Sequence, residues 1–338
     1  MSRKAIALLS GGLDSTLAVK IMLEQGIQVE ALNFTSPFCT CTSSKNQGVG
    51  CKSEAVRVAQ EFNIPIKVMH KGVEYLEVVR NAPHGYGKGM NPCIDCRIFL
   101  LRKAKEYLAE SGADFVITGE VLGQRPMSQR RDTLRTIERE SGLEGLLLRP
   151  LSAKHFPPTI PETEGWVDRE QLLAIQGRSR KEQMQLADDL DVKNYPCPAG
   201  GCLLTETSFV PKVKDIFDHT EELNLRDFRL LKLGRHFRIG PRTKVIIARN
   251  EAENGVLEAA VQAGEATLRW LEGGSPLGVV MGEVNDQLMN IAGKLLLRYT
   301  KAPLGRECHL QMGTNGTEAP VTCCNTFTDD DLEPYRIQ

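Results

Sequence analysis

Net charge is what this chain of 338 residues most conspicuously lacks: 42 Lys and Arg stand against 43 Asp and Glu, leaving a formal charge of −1. A polyanion-binding protein with so little overall field must carry its cations as a local patch. No apolar stretch approaches the length needed to span a bilayer. Met1-Ser2-Arg3-Lys4 runs straight into a strand-like segment, with no apolar leader and no cleavage pattern, so the expectation is a cytoplasmic protein. Internal repeats and low-complexity tracts are absent as well. Cysteine, by contrast, is plentiful at ten residues. In a reducing compartment, clustered cysteine points to metal or redox chemistry before structural disulfides.

The first 150 residues alternate strand and helix patterns. Candidate strands are Lys4–Leu9, Gln28–Phe34, Ile64–Met69, Asp114–Gly119 and Gly145–Leu151, with helices at Thr16–Glu24, Ser53–Glu61, Arg97–Ser111 and Gln129–Ser141. This rhythm predicts an α/β fold with a doubly wound parallel sheet. Ligands of such sheets sit at the carboxyl ends of the strands, where Ser10, the Asn33–Cys41 segment with Phe34, His70 and Gly119–Ser128 all fall. A Pro-rich stretch at His155–Pro161 breaks the rhythm, and a helix is expected from Asp168 to Leu190. NYPCPAGGCLL at Asn194–Leu204 closes a first domain, 1–205. Residues 206–338 read as a smaller α+β module ending in a mobile acidic tail.

The strongest motif is SGGLDS, Ser10 to Ser15, between the first strand and the helix that begins at Thr16. Glycines at Gly11 and Gly12 let backbone N–H groups approach anionic oxygens. The hydroxyls of Ser10, Ser15 and Thr16 add donors, and the helix N-terminus adds partial positive charge. The GxxxxGK[ST] loop of kinase-type enzymes is missing. Asp14, a carboxylate beside phosphates, makes sense as a ligand that helps hold Mg²⁺.

Two cysteine groups follow. Cys93 and Cys96 form CIDC where a helix begins, next to Arg97, a placement that favours thiolate. Cys197 and Cys202 form CPAGGC. Together they could ligate an iron–sulfur cluster, carry sulfur as a persulfide, or hold a structural zinc ion. Cys39, Cys41 and Cys51 make a third group beside the expected nucleotide pocket, as adventitious thiols or as ligands and relays. Cys308, Cys323 and Cys324 suggest no role. His70 and His84 read as structural or surface residues. In the C-terminal module, LRDFRLLKLGRHFRIGPRTKVIIARN carries eight cations (Arg226, Arg229, Lys232, Arg235, Arg238, Arg242, Lys244, Arg249) against Asp227 alone. With Phe228, His236 and Phe237 interleaved, it suits phosphates and a few bases.

SGGLDS in this position resembles the PP-loop ATP pyrophosphatases, which split ATP between the α and β phosphates. CIDCRIFLLRKAKEYLAESGADFVITGEVLGQRPMSQRRDTL resembles the matching part of the tRNA 4-thiouridine synthetases. NPCIDC is similar to the NPC-xx-CN element of tRNA 2-thiouridylases, and CxxC with a distant Pro-Cys resembles the iron–sulfur-dependent tRNA thiolases. Over residues 1–205 the resemblance implies an ATP-dependent tRNA sulfurtransferase that adenylates a nucleobase carbonyl and replaces its oxygen with sulfur. It makes Cys96 the reactive thiol, with Cys197, Cys202 and Asp14 as further catalytic groups. ATP would lie against Ser10, Gly11, Gly12, Asp14, Ser15, Thr16, Asn33, Phe34, Gly119 and Gln124. The favoured cofactors are Mg²⁺ and a 4Fe–4S cluster on Cys93, Cys96 and Cys197, with Cys202 as the alternative third ligand and zinc or no metal as the rival.

The resemblance also implies tRNA as partner, held by Arg229, Lys232, Arg235, Arg238, Arg242 and Lys244 in a module faintly similar to one found in ribosome quality-control proteins. The sulfur donor would be sulfide or a cysteine desulfurase system; a membrane partner is not expected, and a dimer is compatible. Nothing matches the N-terminal RNA-binding domains or the rhodanese extension of 4-thiouridine synthetases, which favours the cluster. A PP-loop enzyme that inserts sulfur into a small molecule, or that forms amides, is the alternative.

Overall fold

The computed structural model describes residues 3–40, 51–195 and 201–338, with the side chains of residues 51–53 excepted. Cys41 and Cys197 therefore lie outside the described residues, as does the side chain of Cys51. The chain divides into two units, Met1–Glu206 and Thr207–Gln338. No helix among the described residues is long and apolar enough to cross a membrane.

In the first unit the elements run β1 (Lys4–Leu8), α1 (Leu13–Glu24), β2 (Gln28–Thr35), α2 (Cys51–Glu61), β3 (Ile66–His70), α3 (Val73–Arg80), α4 (Cys93–Ser111), β4 (Phe115–Thr118), α5 (Arg131–Ser141), β5 (Leu147–Leu148), α6 (Ile160–Thr163) and α7 (Lys181–Asp189). The strands form one parallel sheet ordered β3-β2-β1-β4-β5. β1 is central, and its side chains alternate between two cores. Ala5, Ala7 and Leu9 pack with Leu13, Leu17 and Ala55 on one face, while Ile6 packs with Ile98, Leu101 and Ile137 on the other. Burial on both faces explains why the strand reads as an unbroken apolar run. The sheet order reverses between β1 and β4, so the crevice of the fold opens above Ser10 and Gly119.

Two expectations for this unit need correcting. The helix foreseen from Asp168 to Leu190 is realised only as α7. Ahead of it, Ile175 N bonds Leu151 O (2.8 Å), Gly177 N bonds Leu122 O (2.7 Å), and Gly177 takes a positive φ of 86°. Docking of that segment on the sheet side wins over local helix propensity. The strand expected over Gly145–Leu151 shrinks to Leu147–Leu148.

The second unit runs α8 (Val210–His219), α9 (Leu225–Leu230), β6 (Arg235–Gly240), β7 (Thr243–Ile247), α10 (Glu251–Glu258), β8 (Ala266–Trp270), β9 (Gly278–Gly282), α11 (Asp286–Leu297), β10 (Glu307–Thr314) and β11 (Thr317–Cys324). Its antiparallel sheet is ordered β11-β10-β8-β9-β7-β6. α11 covers one face through Ala292, Leu295 and Leu296, which meet Phe237, Val280 and Leu310. The expected mobile tail is instead docked. Leu332 is fully buried, Arg238 N bonds Tyr335 O (2.7 Å), and Ile337 N bonds His236 O (3.1 Å). The acidic run is thus followed by apolar residues that complete the core and cover the outer edge of β6.

Candidate active site

The phosphate-cradle geometry starts at the end of β1. Gly11 takes φ +78°, and a Cβ there would come within 2.5 Å of Glu54 Cβ, so the tight turn and the close approach of α2 both demand glycine. Gly12 precedes α1 with no side-chain cap, so the first N–H groups of that helix keep no side-chain acceptor. The hydroxyls organise the turn: Ser15 Oγ donates to Gly12 O (2.9 Å), Thr16 Oγ1 donates to Gly12 O (3.1 Å), and Ser10 Oγ lies 3.1 Å from Ser15 Oγ. Ser15 and Thr16 are buried, and Ser10 is exposed. Asn33, also buried, donates from Nδ2 to Leu9 O (2.8 Å), tying β2 to the loop, while its Oδ1 accepts nothing among the described residues. Phe34 follows it, half-buried.

Gly119 closes the cradle from the other side of the switch point. A Cβ on it would sit 2.4 Å from Asp14 C and Ser15 N. Its place is against the backbone of α1, which is a packing role. Gln124, in the loop after β4, donates from Nε2 to Asp14 Oδ2 (3.1 Å). Among the described residues Asp14 Oδ1 is buried without a hydrogen-bond partner, with the Gln183 amide close by. Burial raises the Asp14 carboxyl above its ordinary value, partly offset by the Gln124 bond and by Arg180 and Arg125. An unsatisfied carboxylate oxygen at the end of the phosphate-cradle turn is a donor that Mg²⁺ takes, so Asp14 fits that ion.

The thiols lie along the same strand ends. Cys96, on the first turn of α4, accepts hydrogen bonds from Lys71 Nζ (3.2 Å) and Tyr75 Oη (3.2 Å). Burial alone would push this thiol up, but Lys71, the Tyr75 hydroxyl and Arg97 outweigh it, and the net shift is downward. Lys71 follows β3 and also lies 4.1 Å over the Tyr75 ring; Tyr75 comes from α3 and is 2% exposed. Burial, reinforced by Cys96, Cys202 and Cys39, holds the Tyr75 hydroxyl well above its ordinary value, so it stays a donor. Cys202 is pushed up to about 12 by burial, with Cys96 and Cys39 adding to it.

Cys93 departs from expectation: it does not share the thiolate character of Cys96, because burial and the Cys96 charge raise it more than Arg125 and Arg97 lower it. Cys93 interacts electrostatically with Cys96 and Arg125, and Arg125 in turn with Asp14. Asp14, Arg125, Cys93 and Cys96 are therefore successive electrostatic neighbours, joining the loop to the thiols. Among the described residues no group of three or more His, Cys, Asp and Glu side chains is placed to hold a metal ion. Cys96 already satisfies its sulfur with Lys71 and Tyr75. Of the expected ligands, Cys197 lies outside the described residues.

Two roles go to residues the sequence had left aside. Lys71 and Tyr75 were detectable only through the strand-end rule, since Lys71 directly follows the third strand. The histidines are structural: His84 Nδ1 lies 2.8 Å from Asp95 Oδ1, and His70 Nδ1 pairs with Thr35 Oγ1.

The second unit revises the basic stripe. Arg226 pairs with Glu265 (2.8 and 2.5 Å), and Arg249 Nε pairs with Glu253 (2.9 Å). Arg238 (2.9 and 2.7 Å) and Lys244 (3.0 Å) converge on buried Asp215. Arg238 and Lys244 together overcome the burial that would raise Asp215, and its carboxyl is lowered. Phe228 and Phe237 are fully buried, and His236 is 2% exposed with its pKa driven well below ordinary by burial and nearby lysines. These three belong to the core and cannot stack on bases. Arg229 and Arg242 remain exposed; Arg235 lies 4.3 Å over the Tyr299 ring, and Lys232 is half-buried. Arg238, Arg242 and Lys244 line a cleft of about 410 Å³.

Comparison with known proteins follows the same division. Residues 1–155 match the family model described as thiamine biosynthesis protein (ThiI), and residues 234–336 match the model described as NFACT protein RNA binding domain. A probable tRNA sulfurtransferase of Thermoanaerobacter sp. (strain X514) is 32% identical over 123 residues, 36% of this chain and 30% of that protein. Its counterpart in Caldanaerobacter subterraneus subsp. tengcongensis is 31% identical over the same shares. The match thus spans less than a third of the length of these curated relatives. Among solved structures, a 4-thiouridine synthetase–RNA complex with bound ATP superposes at a TM-score of 0.37 and 23% identity, over 68% of this chain and 52% of that one. Residues 1–155 thus match the ThiI family model, and over part of the chain the sequence is similar to curated tRNA sulfurtransferases.

Proposed function

We propose that this chain is an ATP-dependent tRNA sulfurtransferase, and that one observation carries the reading: an uncapped Gly-Gly phosphate cradle and a cysteine whose sulfur accepts from a lysine and a tyrosine share the strand ends of one sheet. ATP places its phosphates on the N–H groups of Gly11, Gly12 and the start of α1. Asp14 would hold Mg²⁺, whose charge would offset that of the phosphates. The nucleobase carbonyl oxygen attacks the α-phosphate and pyrophosphate leaves. The step is required because oxygen bound to an amide-like carbon leaves poorly, whereas AMP leaves well. A sulfur nucleophile on Cys96 then displaces AMP. Lys71 and Tyr75 hold that sulfur as an anion at a protein-buried site, where a free thiol would stay protonated. Arg97 and Arg125 supply positive charge along the path from Asp14 to Cys93. The second unit contacts tRNA through its exposed cations, Arg229 and Arg242 foremost, and through the cleft beside Arg238.

The test separates the two half-reactions. ATP–pyrophosphate exchange in the presence of tRNA reports adenylation, and mass spectrometry of digested tRNA reports the thionucleoside. Asp14→Asn should abolish both. Cys96→Ala should keep the exchange and lose the thionucleoside. Exchange that ignores tRNA altogether and responds to a small carboxylate would overturn the reading in favour of amide formation.

A further inference from the structure

Cys39 is a thiol that the sequence leaves open between an adventitious group and a ligand or relay, and the structure sets it directly opposite Cys202. Segments 38–40 and 201–203 run antiparallel: Leu203 N bonds Phe38 O (2.9 Å), Thr40 N and Oγ1 bond Gly201 O (3.4 and 2.9 Å), and Cys39 and Cys202 are the bridged pair. Directly opposed residues in such a pair have Cα atoms about 4.5–5.5 Å apart and side chains on one face. That interval falls inside the roughly 4.4–6.8 Å spanned by disulfides. Cys39 Sγ is also served by donors, with Ser36 N at 3.3 Å and Ser36 Oγ at 3.4 Å. The third thiol is at hand: Cys96, Cys202 and Cys39 all act electrostatically on the one Tyr75 hydroxyl, and Cys96 and Cys39 both act on Cys202. Cys93, the CxxC partner, instead neighbours Arg125 and Arg97.

We propose that Cys39 and Cys202 form a reversible disulfide that restores Cys96 to its thiolate after each sulfur transfer. The proposal rests on the sulfurtransferase reading above. A persulfide donor passes its outer sulfur to Cys96 by exchange, leaving as a thiol, and Cys96 becomes Cys96–S–SH. The outer sulfur attacks the adenylated carbon, AMP leaves, and the base is joined to Cys96 through an S–S bond. Cys202 attacks Cys96 Sγ as its thiol proton passes to the leaving group, that S–S bond breaks, and the thiolated base departs with the electron pair. A Cys96–Cys202 disulfide remains. The Cys39 thiolate then attacks Cys202 Sγ, forming Cys39–Cys202 and expelling Cys96 as thiolate. The two thiols have together reduced the transferred sulfur, and an external dithiol returns the pair to the reduced state.

Two measurements on the full chain decide the matter. The first needs no turnover: the protein is equilibrated in dithiothreitol redox buffers, quenched with an alkylating agent and mapped by mass spectrometry. A Cys39–Cys202 disulfide with Cys96 alkylated is expected, and it must vanish in Cys39→Ser. The second supplies ATP, tRNA and a small-molecule persulfide. Cys39→Ser should complete a single turnover within about twofold of wild type, stall as Cys96–Cys202, and slow multiple turnover by about tenfold or more. If redox titration yields no Cys39–Cys202 bond, or if Cys39→Ser turns over like wild type, the proposal fails. It fails equally if anaerobically purified protein carries iron and visible absorbance that Cys39→Ser removes. Should tRNA-dependent exchange be missing while the redox pair forms, the sulfurtransferase reading falls and the dithiol stands.

Discussion

The strand ends of the first unit and the basic stripe of the second treat polar groups in opposite ways. At the strand ends of the first, buried groups are left wanting partners: Asp14 Oδ1 and Asn33 Oδ1 accept no hydrogen bond among the described residues, and α1 begins without a side-chain cap. In the second, cations that look idle in the sequence are matched. Asp215, Glu253 and Glu265 each take one or two of them. An unmatched buried polar atom costs free energy, and several of them gathered at a strand-end crevice suit a place where a ligand completes the structure. A matched cation is architecture first. The lesson is that a run of arginines and lysines is a weaker indicator of binding than two or three oxygen atoms with nothing to do.

Substitutions can break that contrast, and the sharpest is Cys96→Ser. It should lower thionucleoside formation by about a thousandfold or more while tRNA-dependent ATP–pyrophosphate exchange stays near wild type. Equal loss of both would show that Cys96 serves the nucleotide rather than the sulfur. Next comes Asp215→Ala, which strands Arg238 and buried Lys244. We expect the second unit to lose about 3–5 kcal/mol in equilibrium denaturation; a loss near zero would mean those cations are free, as the sequence alone suggests. Gly119→Ala drives a methyl group into the α1 backbone and should cost the first unit about 1–3 kcal/mol, with weaker ATP binding. Lys71→Met removes a cation that lowers the Cys96 thiol, so thiolate absorbance near 240 nm should appear at higher pH than in wild type, and less of it should be present at neutrality. The smallest effect belongs to Arg229→Ala and Arg242→Ala. Each should weaken tRNA binding a few-fold at low salt and reduce the salt slope by about one.

Much of the first unit was legible because a parallel sheet buried on both faces writes itself as apolar runs separated by helices, and because a Gly-Gly turn between strand and helix has few uses. β5 was overdrawn since an edge strand with two paired residues leaves little local pattern. α3 went unread, and Tyr75 with it, because its eight residues are short for a helical period to stand out. The stripe in the second unit misled for a reason of distance. Asp215 lies 23 residues from Arg238, and Glu265 lies 39 from Arg226. No window of neighbouring residues contains such pairs. The interleaved aromatic residues misled similarly: on β6, Phe237 alternates with Arg238 because strands put successive side chains on opposite faces.

The docked carboxyl-terminal stretch has a practical side. Tyr335 and Ile337 occupy backbone positions that another strand would otherwise claim along β6, so shortening the chain by ten residues would bare a flank able to recruit identical molecules. Purified material cut there should precipitate on concentration, and a purification handle is safer placed at the opposite terminus.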